Sequence, residues 1–321
     1  METIEIAAGT DHRFIMLIGV MMHSVCRNNN DLDVHFHVIV DESVTEEDKQ
    51  DLRDVTTGMS IQFYTVDSRL FSSMPLLENL TSVAYYRLLL PKILPQNIHK
   101  VLYLDGDLIV RHSLLPLWET DIDGCALAAV TDTSESDIVI YNRLRYSPSL
   151  GYFNSGVLLI NLDYWRANNI DDEIESFIKN HLNRVYYPDQ DILNYVLREK
   201  KKTLPIKYNT QTCFLWVPER GLYDYWKYEK EILEAREDPI IFHYTCIKPW
   251  IEGSNHPYKS TFVKYQDETK WKGCIWKKPQ RPFMVKVRSH LKNILKEMGL
   301  IKVASGSKEY KFFVDGLPPI D

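Results

Sequence analysis

Three short apolar runs, Ile4–Gly9, Val34–Asp41 and Ile61–Asp67, alternate with two helical stretches at the start of the chain. The first connector, Phe14–Cys26, is apolar. The second opens at Thr45 with Asp48 three residues on, an N-capping pattern, and stays polar to about Val55. Strand–helix–strand–helix–strand in so short a span calls for a parallel sheet, because parallel neighbours need a crossover connection, usually a helix. Further strands are expected at Lys100–Val110, Ala126–Asp132, Ser155–Leu162 and Ile240–Thr245. Helices are expected at Ala84–Leu94, Asp172–Leu182, Gln190–Glu199 and Tyr223–Arg236. The fold class is therefore α/β: a Rossmann-like, mainly parallel sheet flanked by helices, with a C-terminal helical extension.

The stretch KVLYLDGDLIV, Lys100–Val110, holds six Val, Leu or Ile residues and reads as a strand buried on both faces. It also carries Asp105 and Asp107, separated only by Gly106. Removing carboxylates from water costs several kcal/mol each unless a counter-charge meets them. Alternate residues of a strand share a side, so the two acids can converge on one hard divalent cation, Mg²⁺ or Mn²⁺. Gly106 would let a ligand or backbone approach closely. A helix cap or a surface pair at a strand end is the bland reading of such a triplet. The carboxyl ends of strands in open α/β sheets are, however, where ligands bind.

The turn after the first strand, AAGTDHRF, has neither GxGxxG nor GK[ST], so a phosphate-bearing ligand needs another source of positive charge. A metal on Asp105 and Asp107 would supply one. Lys248, in HYTCIKPW, would supply another, and His243 of the same stretch ends a strand where it could join the acids as an imidazole ligand.

The net charge of −6 provides no overall basic field for nucleic acid. Five scattered cysteines without CxxC spacing suit reduced thiols and a cytoplasmic setting. The acidic N-terminus reads as no signal peptide, and no apolar run approaches the roughly 20 residues needed to span a bilayer. From Lys277 to Lys302 lysine and arginine face a single acid, Glu297, while Phe283, Val287, Leu291, Ile294, Leu295 and Met298 recur at helical spacing. Such a basic amphipathic helix suits an anionic membrane surface. It would equally suit docking on the body with its basic face in water.

The segments GTDHRF, YYRLLL, VLYLDGDLIV, PLW, YFNSGVLLINLDYWR, DQDILN and HYTCIKPW occur in this order between Gly9 and Trp250. Together they resemble the family 8 glycosyltransferases, retaining enzymes of GT-A fold that include bacterial lipopolysaccharide galactosyl- and glucosyltransferases. The resemblance runs from Ile4 to about Trp250, and with the shift to basic composition beyond about residue 270 it divides the chain into a catalytic domain over residues 1–275 and a basic extension over 276–321. It implies Asp105, Asp107 and His243 as ligands of manganese, with magnesium as the alternative. It places Thr10, Asp11 and Phe14 at the uracil and ribose, Arg87 at the nucleotide sugar and Lys248 at the diphosphate. Asp132, Asn154, Asp189 and Gln190 fall around the donor hexose, with Asp189 and Gln190 the candidates beneath the anomeric carbon. The implied donor is UDP-galactose or UDP-glucose. The implied acceptor is a saccharide or glycolipid, reached by a cytoplasmic enzyme resting on the membrane's inner face.

Three stretches differ from the family pattern, one of them the C-terminal tail, where the basic helix is similar only in character. Asp11-His12-Arg13-Phe14 stands for the usual Asp-Asp-Asn-Tyr, and Cys246 occupies the loop that usually carries a glycine. Other chemistries fit less well. A nucleotidyltransferase would need a glycine-rich basic loop after the first strand. A glycoside hydrolase needs carboxylates about 5–10 Å apart across a sugar. A non-catalytic sugar-nucleotide-binding module would share the ligand groups and release no UDP.

Overall fold

The computed structural model describes residues 3–76, 81–215 and 225–277. The first three expected strands appear as β1 (Ile4–Thr10), β2 (Val34–Val40) and β3 (Ser60–Thr65). Helices Ile15–Asn28 and Glu46–Val55 cross between them. The Thr45 cap is reciprocal: its hydroxyl accepts from the Asp48 N–H, and the Asp48 carboxylate accepts from the Thr45 N–H at 2.8 Å.

The later strands are β4 (Lys100–Leu104), β5 (Leu108–Val110), β6 (Leu127–Thr131), β7 (Phe153–Asn161), β8 (Lys201–Thr203), β9 (Thr210–Gln211) and β10 (Ile241–His243). Seven form one sheet in the order β3-β2-β1-β4-β7-β6-β8, antiparallel only where β7 pairs its two neighbours. The α/β fold with a mainly parallel sheet stands as expected. One face of this sheet packs Ile6, Phe36 and Leu102 under helix Ile15–Asn28. The other packs Ala7, Tyr103 and Leu158 against Trp165, Ile192 and Leu193 from the helices behind β7.

One expectation needs correction: Lys100–Val110 is not a single strand. β4 runs parallel to β1 and stops at Leu104. The chain turns through Asp105-Gly106-Asp107 and re-emerges as β5 in a second, three-stranded sheet, β5-β10-β9. Strand periodicity therefore does not aim the two acids; the turn between two sheets does. The expected helix Ala84–Leu94 is mostly a 3₁₀ segment, Ser82–Leu89, with one α-helical turn, Leu90–Ile93, around Pro91. Proline lacks the N–H a longer helix would need there.

The strand order places the topological switch between β1 and β4, since β2 and β3 extend the sheet one way and β4 the other. A crevice outside the carboxyl ends of those two strands is where such sheets bind ligands. Trp276 still belongs to this body: its N–H donates to the Trp250 carbonyl at 2.8 Å and its ring lies 5.9 Å from that of Phe14. The expected basic helix 277–302 lies outside the described residues beyond Lys277.

Candidate active site

Three backbone facts bring the acids and the imidazole together. The antiparallel register of β5 and β10 sets His243 opposite Leu108, next to Asp107. The Asp105 N–H donates to the Gly156 carbonyl at 2.8 Å, tying the turn to β7. Gly156 itself leaves the necessary room, because a Cβ there would come 2.3 Å from His243 Cε1 and 2.8 Å from Asp105 Oδ2. Asp105, Asp107 and His243 consequently offer ligand atoms within 4.8 Å of one another.

The donor set fits a hard divalent cation. His243 Nε2 lies 3.0 Å from Asp107 Oδ1 and 3.9 Å from Asp105 Oδ2. Neighbouring ligands of an octahedral ion with bonds of about 2.1 Å sit about 3 Å apart, so the three groups need little movement. The opposite carboxylate oxygens are held by cations, Asp105 Oδ1 by Arg87 at 2.7 Å and Asp107 Oδ2 by Lys248 Nζ at 2.6 Å. Burial pushes the Asp107 carboxyl up, but Lys248 and His243 outweigh it and leave the group well below the usual carboxylate range.

The imidazole is oriented from behind. His243 Nδ1 lies 2.9 Å from Asn209 Oδ1, an atom that can only accept, so the ring proton sits on Nδ1 and the Nε2 lone pair faces the acids. Asn209 is fully buried and its amide donates to Asn154 Oδ1 at 2.8 Å. Asn154 donates in turn to Asp132 Oδ2 at 2.9 Å, and Gln190 Nε2 donates to the same oxygen at 3.2 Å. A continuous polar chain thus joins His243 to Asp132, Asn154 and Gln190. Asn209→Leu removes the Nδ1 acceptor, and manganese affinity is expected to fall about 10–100-fold, read by EPR titration of the free ion.

Arg87 stands between Asp105 and Asp189. Only 4% exposed, it sits behind the acids, with its ring-like plane 4.3 Å from the centre of Tyr103. It donates to the Asp105 carboxylate and to the Ser155 carbonyl, and its Nε pairs with Asp189 Oδ2 at 3.1 Å. It ties two carboxylates together. Burial raises the Asp189 carboxyl above its ordinary range against the pull of Arg87. Gln190, one residue on, is more open and stands beside Asn154 and Ser155.

The neighbouring residues divide. Asp191 is fully buried and accepts from Arg143, from the Tyr152 hydroxyl at 2.8 Å and from the N–H groups of Tyr186 and Tyr187. Asn194 bonds both the N–H and the carbonyl of Phe153. Both are structural. Thr10 is buried, and its hydroxyl donates to the Asp11 carbonyl at 3.0 Å. Asp11 caps its own turn by accepting from the Arg13 N–H at 2.9 Å. The Phe14 ring packs between Arg13 and Trp276. A Cβ on Gly106 would meet the Ile18 backbone at 3.4 Å, so this glycine packs against the first helix. A cavity of about 530 Å³ bordered by Asp11, Asp41, Ser43, Phe71 and Thr81 opens beside the carboxyl ends of β1 and β2. In the His243–Lys248 loop, Cys246 Sγ touches Cys213 Sγ at 3.1 Å.

This geometry can be set beside known proteins. The profile of "Glycosyl transferase family 8" matches residues 5–253. The chain belongs to that family. Among the relatives of this family 8 glycosyltransferase is General stress protein A of Bacillus subtilis, 29% identical over 280 residues, covering 84% of this chain and 95% of that one. Lipopolysaccharide glucosyltransferase WaaO of Escherichia coli is 27% identical over 320 residues, covering 97% and 90%. Lipopolysaccharide 1,3-galactosyltransferase of Salmonella typhimurium is 27% identical over 288 residues, covering 87% and 82%. The crystal structure of galactosyltransferase LgtC with donor and acceptor sugar analogues superimposes with a TM-score of 0.75 at 24% identity, covering 89% of this chain and all of that one. That likeness shows the shared fold of the GT-A glycosyltransferases. Among the described residues of this enzyme no helix is long and apolar enough to cross a membrane.

Sequence reasoning passed over Asn209, Gly156 and Asp41. Asn209 lies in KYNTQT, which carries no recognisable spacing. Gly156 stood in view within FNSGVLL, but its meaning depends on His243 arriving from far along the chain. Asp41, a buried acid closing β2 that accepts from the Tyr86 hydroxyl at 3.1 Å, repeats the strand-end pattern of Asp11 and Asp105.

Proposed function

We propose that this enzyme transfers a hexose, galactose or glucose, from its UDP-sugar to a saccharide hydroxyl with retention of configuration. The observation that carries the reading is the convergence of Asp105, Asp107 and His243 at the switch point, flanked by Lys248 and by the Asp132–Asn154–Gln190 group. Relatives of equal identity are named as a glucosyltransferase and a galactosyltransferase, which supports a hexose donor. Their acceptors support a lipopolysaccharide or related surface glycan.

Asp105, Asp107 and His243 would hold Mn²⁺, or Mg²⁺ in its place, which when bound supplies Lewis-acid neutralisation of the diphosphate. Lys248 adds a cation on the same side, so the departing UDP needs no proton from the protein. Asp11 and the cavity beside it offer room for the nucleoside end, and Thr10 shapes that turn. Asp132, Asn154 and Gln190 present oxygens and amides for sugar hydroxyls. Asp189 and Gln190 are the side chains for the face opposite the leaving group. Gln190 is open to it, while Asp189 is held by Arg87 and sets the charge there. The basic segment 277–302 is the part we assign to an anionic membrane on the cytoplasmic side.

The test is UDP release from UDP-glucose and UDP-galactose with Mn²⁺, Mg²⁺ or EDTA, followed by transfer to a lipopolysaccharide-type acceptor. Metal-dependent release from one donor, lost in Asp105→Ala, is the expected result and names the sugar. Asp189→Asn is expected to bind UDP normally and to lose transfer. Absence of UDP binding by calorimetry in the presence of Mn²⁺ would overturn the proposal.

A further inference from the structure

A second group of metal-ligating side chains lies at the other end of the sheet. In β2, His35 and His37 are two residues apart and therefore share a face. The parallel register of β1 sets Glu5 directly opposite His35. Glu5 Oε2 lies 2.6 Å from His37 Nε2 and 3.3 Å from His35 Nδ1, and the imidazole centres are 4.3 Å apart. Asp11 stands six positions beyond Glu5, about 20 Å along the strand, so this group is remote from the reaction.

We propose that Glu5, His35 and His37 bind a second divalent metal, of the zinc class. Two imidazoles and one carboxylate make a nitrogen-rich set that suits borderline ions such as Zn²⁺ or Co²⁺, whereas the two acids and single histidine of the active site suit a harder ion. The ligand atoms of the group already lie within 4.8 Å of one another. Ligands of a tetrahedral zinc with bonds of about 2.05 Å stand about 3.4 Å apart. The His35–Glu5 pair has that spacing, and Glu5 need withdraw from His37 by less than about 1 Å.

The surroundings permit the exchange. His37 is buried, but the Glu5 and His35 side chains are 20% and 32% exposed, which gives the ion a path and leaves a fourth position for water. Tyr64 Oη lies 2.9 Å from His37 Nδ1. A hydroxyl both donates and accepts, so Tyr64 can satisfy Nδ1 in either tautomer. When His37 Nε2 gives its lone pair to an ion, its proton sits on Nδ1 and donates to Tyr64. Tyr64 is thus the positioning residue behind the ligand.

The experiment uses untagged full-length protein whose active site is first saturated with Mn²⁺. Zn²⁺ is then titrated calorimetrically, and Co²⁺ by its visible absorption. One further equivalent of Zn²⁺, and Co²⁺ bands of tetrahedral intensity, are expected. Glu5→Gln, which keeps the shape, and His35→Ala, at a partly exposed site, should abolish that equivalent while leaving sugar transfer unchanged. Tyr64→Phe should weaken it about 10–100-fold. The proposal is overturned if Zn²⁺ binds only by displacing Mn²⁺, seen as release of its EPR signal. It is equally overturned if the extra equivalent survives both Glu5→Gln and His35→Ala.

Discussion

Gly156→Ala is expected to remove manganese-dependent transfer altogether, although it adds one methyl group. The new Cβ would stand 2.3 Å from His243 Cε1 and 2.8 Å from Asp105 Oδ2, inside any permitted contact. Gly156 lies in a buried central strand whose pairing with β4 and β6 prevents it from stepping back. His243 must move instead, and its bond to Asn209 and its aim at Asp107 go with it. Overpacking of this kind costs about 1–3 kcal/mol, so a folded protein with a lowered melting temperature should be recovered. Calorimetry should then show Mn²⁺ affinity reduced by more than the stability loss can account for. Normal turnover in that variant would mean that His243 is not part of the reacting site.

Arg87→Met should cost more stability than any other single change at the site. The guanidinium holds Asp105 and Asp189 and lies against the Tyr103 ring; Arg87, Asp189 and Tyr103 are buried and Asp105 is partly so. Taking one partner from a buried charge pair costs about 3–5 kcal/mol, because the remaining carboxylates face an apolar wall uncompensated. Asp189 would respond by taking up a proton, continuing the upward displacement that burial already imposes. A group raised in the folded state stabilises the fold when protonated, so the variant's deficit should shrink as pH falls below neutrality. Denaturation midpoints of wild type and variant across pH 5–8 would check the sign. A deficit that does not shrink toward acid pH would show that Asp189 stays ionised without its partner.

Local signals made much of this legible. The alternating first strands, the Thr45 cap and the apolar run of β7 each depend on residues close in sequence, and each stands where it was expected. The acids, the histidine and the lysine of the site were likewise visible in their motifs. The two-sheet arrangement was not, because Leu108-Ile109-Val110 has the same apolar character whether it continues β4 or leaves it. The choice is made by β10, which arrives more than a hundred residues later to pair with β5. β9, with two residues, carries too little pattern to be read at all. Arg87's partners within the fold were illegible for a related reason: they are set by what surrounds the side chain, and Asp189 is brought to it only by the packing of helix Pro188–Leu197.

The split between β4 and β5 gives the site a mechanical character. Asp105 closes a strand of the large sheet, while His243 and Lys248 arrive with the small one. Asn209–Asn154 and Gln211–Thr131 are polar rungs across the same seam, at 2.8 Å each. A group bound by all of these residues acts as a rivet between two plates. Anything that parts the two sheets would also pull the ligating groups away from one another, so holding the group and holding the seam reinforce each other.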